Sequence, residues 1–106
     1  MLEIYPFILE TVTLIRPLAE RICRADPDLG RQLRRAQSSI VLNVAEGSYS
    51  RGRNKAVRFN TAMGSARETL ACLEVAEALG LIRPLDEELR KRFNRILGTL
   101  HRLCVR

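Results

Sequence analysis

A chain of 106 residues that is 46% hydrophobic but only 5% aromatic, with no tryptophan, carries one domain's worth of mainly aliphatic core. That length excludes a multidomain enzyme, and burial of roughly two thirds of the unfolded surface suffices for an independent fold only if the elements are long and well packed. Eighteen basic residues, sixteen of them Arg, stand against twelve acidic ones, and the resulting +6 suits a phosphate-bearing or otherwise acidic partner.

In chain order, Ile4, Ile8, Val12, Ile15, Leu18 and Ile22 recur at spacings of three and four, with Phe7 and Ala19 widening the stripe, and predict a first helix. Pro17 lies inside it without an amide donor, which predicts a bend. Asp26-Pro27 is an N-cap followed by proline at the first helical position, so a second helix is expected from there to Glu46, stopping at Gly47. Its inward arc is Leu29, Leu33, Ala36, Ile40 and Val44, with Arg31, Arg34 and Arg35 on the other side. Ser48 to Asn54 is rich in turn formers and reads as a loop whose Asn54 caps the third helix.

That third helix is expected from about Lys55 to Leu79, ended by Gly80, with Phe59, Met63, Ala66, Leu70 and Leu73 on its main face. Val57, Cys72, Val75 and Leu79 form a second apolar group on nearly the opposite side, which predicts contact with another subunit. After Leu81-Ile82-Arg83-Pro84, the acids Asp86, Glu87 and Glu88 introduce a fourth helix with the stripe Leu89, Phe93, Ile96, Leu97, Leu100, Leu103 and Cys104. Four helices with short connections predict an all-α, antiparallel up-down-up-down four-helix bundle, a single domain over residues 1–106.

Catalytic chemistry finds little purchase. The single histidine, His101, sits between leucines with no Ser, Cys or Asp arrangement to make it a base. Gly47 through Asn54 has the glycine spacing of a phosphate-binding P-loop, but Arg53 replaces the lysine and Asn54 the magnesium-binding hydroxyl, and a helix precedes it. Cys23, Cys72 and Cys104 are odd in number, lack CxxC spacing and read as reduced core or interface thiols. No enzyme, metal or cofactor is expected, and the polar stripe Ser39, Asn43 and Glu46 is expected to bond neighbouring helices or backbone. The opening Met1-Leu2-Glu3-Ile4-Tyr5-Pro6 lacks the features of an export signal and no run of 18 apolar residues occurs, so a cytoplasmic protein without membrane contact is expected.

The charge excess is local. Between Arg31 and Arg58, a stretch of 28 residues, Arg31, Arg34, Arg35, Arg51, Arg53, Lys55 and Arg58 stand against Glu46 alone, while the rest of the chain holds eleven of each sign. A guanidinium fork donates two parallel hydrogen bonds to phosphate, and Tyr49 nearby can stack on an unpaired base, so these seven cations are the expected nucleic-acid contacts.

Gln37-Ser38-Ser39-Ile40-Val41-Leu42-Asn43-Val44-Ala45-Glu46-Gly47, followed by Arg58-Phe59 and by Ala62-Met63-Gly64-Ser65-Ala66-Arg67-Glu68-Thr69-Leu70, resembles the four-helix-bundle proteins encoded in intervening sequences of bacterial large-subunit ribosomal RNA genes. Relatives of that family include the accessory variability protein of diversity-generating retroelements. The resemblance implies a homo-oligomer, a ring of five, with a basic surface or channel for RNA or DNA, and in the retroelement relatives a reverse transcriptase as partner. It also implies that Asn43, Glu46, Gly47, Gly64 and Ser65 are packing and turn positions, with Gly64 allowing close helix approach and Glu68 receiving a bond from a neighbour. The expected function is a non-enzymatic nucleic-acid-binding accessory protein. The alternative is a protein-interaction module that docks on a reverse transcriptase.

Overall fold

The boundaries of the helices rest on a few capping residues. The computed structural model describes residues 2–104, and among them lie four helices and no strand: α1 (Ile4–Ala25), α2 (Pro27–Tyr49), α3 (Gly52–Ala78) and α4 (Glu87–Cys104). α1 continues through Pro17 on its exposed side, so its first part does not stand as a separate helix. Asp26 alone joins α1 to α2: its carboxylate accepts the Leu29 amide at 3.1 Å, and its own amide donates to the Ile22 carbonyl at 2.7 Å. The two helices close tightly there, since a Cβ at Gly30 would lie 2.4 Å from Cys23 Sγ.

The end of α2 differs from expectation. Gly47 does not stop the helix, which runs on to Tyr49, and the connection shrinks from Ser48–Asn54 to Ser50 and Arg51. The Ser48 hydroxyl donates to the Val44 carbonyl and the Ser50 hydroxyl to that of Glu46, each at 2.8 Å, so these turn formers bond back onto the helix instead of breaking it. Gly47 is needed for another reason: a Cβ there would sit 2.8 Å from Cε1 of the Phe59 ring. The chain reverses through Gly52, whose φ of +57° suits glycine, and Asn54 lies inside α3 rather than capping it. Gly80 ends α3 as expected. With φ +75° it donates to the Glu77 carbonyl at 3.0 Å while Leu81 donates to that of Ala76 at 2.9 Å, a Schellman motif. Asp86 then caps α4 by accepting the Leu89 amide at 2.8 Å.

Two apolar clusters fill the bundle. Ile15, Ile22, Leu33, Leu73 and Phe93 anchor one at the end holding the α1–α2 and α3–α4 connections. Ile8, Val44, Phe59, Ile96 and Leu100 anchor the other, at the α2–α3 turn. The predicted inward arc of α2 is buried throughout, whereas on α1 the expected Val12 and Leu18 only flank the core and Thr11 is buried in the stripe, its hydroxyl donating to the Phe7 carbonyl at 2.8 Å. Cys72, expected on the outer face of α3, is 5% exposed and belongs to the first cluster, while Val57, Val75 and Leu79 do stand outward. α2 packs most extensively on α3, and α1 lies on α2 as α4 lies on α3, giving the antiparallel up-down-up-down bundle, 43 × 25 × 19 Å.

Arginines close the seams. Arg92 donates from Nε to Thr11 Oγ1 at 2.9 Å and from Nη2 to Glu10 Oε1 at 2.8 Å, and with Arg95 it flanks the Phe7 ring, the two guanidinium carbons lying 4.0 and 4.1 Å from its centroid. Glu77 accepts the Leu85 amide at 3.0 Å and Arg90 at 3.3 Å, fastening the α3–α4 connection. Among the described residues no helix is long and apolar enough to cross a membrane.

Candidate nucleic-acid interface

Because Leu29, Leu33, Ala36, Ile40 and Val44 turn inward, the 100° step of the helix sends Arg31, Arg35, Ser38, Leu42 and Tyr49 to one outer arc of α2. All seven predicted cations are exposed, and the structure distributes them over three places. Arg34, Arg35 and Arg58 line an open groove between α2 and α3, together with Ser38, Ser39, Leu42, Asn43 and Glu46. Arg51, Arg53 and Lys55 gather at the α2–α3 turn. Arg31 stands apart at the start of α2 in an ion pair with Asp28, one turn before it. From Arg34 to Tyr49 the helix rises about 22 Å, so the cations form a ribbon along the molecule rather than one spot.

A polar chain holds the floor of the groove. Asn43 Nδ2 donates to the carbonyl and hydroxyl oxygens of Ser39 at 2.9 and 3.1 Å, Ser65 Oγ donates to Ser39 Oγ at 2.7 Å, and Arg58 Nη1 reaches Asn43 Oδ1 at 3.4 Å. Ser39 and Asn43 therefore act as the sequence predicts, tying α2 to α3, and they turn the Arg58 side chain toward the groove. Glu46 does not. Among the described residues its carboxylate meets no partner, and the one side chain bonded to Glu46, that of Ser50, donates to its carbonyl. The Glu68 carboxylate is likewise exposed without a bond to a described residue, and it lines a depression beside Arg35, Ser39 and Ser65.

Among the described residues Arg34, Arg35, Arg51, Arg53, Lys55 and Arg58 make no ion pair, unlike Arg31, Arg90 and Arg92. For Arg51, Arg53, Lys55 and Arg58 the reason lies in the sequence, since from Gly47 to Arg67 there is no Asp or Glu; Arg34 and Arg35 share their groove with the Glu46 carboxylate without pairing to it. Two apolar side chains share this surface, Leu42 at 63% exposure and Tyr49 at 79%. Leu42 escaped sequence reasoning, although its seven-residue step from Arg35 places it on the cationic arc; Tyr49, expected in a loop, is the last residue of α2.

Gly64 is not a close-packing position within this chain. A Cβ there would meet nothing within 4 Å, and the residue lies exposed on the same face of α3 as Val57 and Val75. Cys72 and Cys104 are poorly suited to nucleophilic chemistry. Burial, assisted by the Glu68 carboxylate, pushes the Cys72 thiol upward, and burial raises Cys104 against the opposing pull of Arg67.

The family model described as 23S rRNA-intervening sequence protein matches residues 2–102. No curated protein and no solved structure matches the chain.

Proposed function

Because the chain belongs to the 23S rRNA-intervening sequence protein family, we propose that it is a non-enzymatic RNA-associated protein whose α2 face and α2–α3 turn receive phosphates. The observation that carries this reading is the concentration along one ribbon of six exposed cations, Arg34 to Arg58, with Glu46 the one acid between them and no ion pair to any of the six among the described residues. Cations neutralised by neighbouring carboxylates would release little counterion on binding, whereas these retain their full charge for a polyanion. With about four phosphates neutralised, log affinity falls against log salt with a slope near −3 to −4 in a filter-binding series. The paired reversals Arg34→Glu and Arg35→Glu weaken binding to every RNA sequence alike, because phosphate contacts do not read bases. Binding indifferent to salt overturns the reading, and an association with an acidic protein that survives nuclease replaces it with a protein-docking role.

The outer face of α3 supports self-association as part of the same reading. Val57, Val75 and Leu79 are 54, 45 and 60% exposed, with Gly64 between them open to a close approach from outside. A ring of five copies is the expected mass in sedimentation, and a monomer at micromolar concentration overturns it.

A further inference from the structure

We propose that the α2–α3 hairpin tip seats an unpaired base on the Tyr49 ring while Arg51, Arg53 and Lys55 hold the adjoining phosphates, so that the RNA recognised is single-stranded or looped rather than continuous duplex. This rests on the phosphate-binding reading above and narrows it to a class of RNA.

The first ground is exposure. Tyr49 is 79% exposed, the most open of the large apolar side chains among the described residues, although burying an aromatic ring is among the larger gains a fold can make. The second is rigidity. Gly47 lies flush against the fully buried Phe59, the Ser48 and Ser50 hydroxyls tie back to the Val44 and Glu46 carbonyls, and the Ser50 amide donates to the Gly47 carbonyl at 3.3 Å. The backbone beneath the ring is fixed from both sides, and tyrosine itself has only two side-chain torsions to order. The third is charge: three exposed cations come within the next six residues with no Asp or Glu among them, and they outnumber the single Glu46 carboxylate one turn back along α2. A ring beside free guanidinium groups is the arrangement that binds single strands, since every unpaired base offers a π-face and every nucleotide a phosphate. In a continuous duplex those faces are already stacked, and only the cations find partners.

The test uses the absence of tryptophan. In a Tyr5→Phe background Tyr49 is the only tyrosine, so the intrinsic emission of the protein reports on it alone. A single-stranded RNA of roughly a dozen nucleotides, spanning the site size of a stacking groove, quenches that emission, and the same strand annealed to its complement does not. Tyr49→Ala lowers affinity for the strand about tenfold while leaving duplex affinity and the salt slope unchanged, and Tyr49→Phe restores strand binding. Unquenched emission on saturation with the strand, or equal loss of strand and duplex binding in Tyr49→Ala, overturns the inference and leaves the phosphate reading intact. So does a change of oligomer mass in Tyr49→Ala, which assigns the ring to a subunit contact. If neither RNA binds with a salt slope, both readings fall together.

Discussion

At the end of the bundle where α1 turns into α2 and α3 passes to α4, carboxylates hold the joints. Asp26 and Asp86 cap helices, Asp28 holds Arg31, and Glu74 and Glu77 engage Arg90, while Glu77 also fixes the Leu85 amide. At the opposite end, the α2–α3 turn has no side-chain cap on α3 and no acid between Gly47 and Arg67, and its order comes from Gly47 against Phe59 and from two serine hydroxyls. The difference teaches how a small bundle exposes cations without losing a stable turn. At the turn, where order is supplied by packing, every cation is left for a partner; at the far end Arg31 and Arg90 are tied to carboxylates, while Arg21, Arg24 and Arg83 make no ion pair among the described residues.

The strongest test strikes the packing itself. Phe59→Ala and Phe93→Ala, one in each cluster, should each destabilise by about 3–5 kcal/mol in urea unfolding. Only Phe59→Ala should also weaken RNA binding, since Phe93 supports the far end. Next comes charge. The triple change Arg51→Gln, Arg53→Gln and Lys55→Gln should lower RNA affinity by roughly one to two orders of magnitude and flatten the salt slope by about 2, with Tm unchanged. Arg90→Gln at the other end should leave binding alone. A smaller effect is expected from Asp86→Ala, which removes the α4 cap and about 1 kcal/mol of stability without altering RNA affinity.

The smallest effect is one of pH. The Cys72 thiol lies above its ordinary 9.0 because of burial first and the Glu68 carboxylate second. The folded chain thus holds that proton to higher pH than the unfolded chain, so the contribution is complete below the unfolded value and is lost as pH rises through the folded one. Urea midpoints at neutral pH and well above 9.0 should therefore fall more in the native chain than in Cys72→Ala.

Much of the architecture is legible because it depends on local chemistry. Asp26-Pro27 and Gly80 mark their boundaries by caps that neighbouring residues complete, and the buried arc of α2 is a matter of 100° steps. Ser48–Asn54, which reads as a loop and is mostly helix, shows where that logic stops. Gly47 and the serines carry turn propensity, yet a ring twelve residues away requires glycine inside the helix, and the hydroxyls bond backward along it. Cys72 reads as outward because it lies at the edge of an apolar arc whose width periodicity does not fix. The cations of the candidate site stand out from composition alone, but their division does not: Arg31 is occupied by Asp28 and Arg58 is steered by Asn43, the latter across a helix boundary. The Arg92 clamp on Phe7 and Thr11 joins positions more than 80 residues apart and leaves no local signal.

The contact between Gly47 and Phe59 also constrains how the chain can change. A methyl group at 47 collides with the aromatic ring, while loss of the ring leaves a void; made together, with Gly47→Ala filling part of the space vacated in Phe59→Leu, the two changes compensate. Each substitution is harmful alone and tolerated in company, so the order of replacement matters.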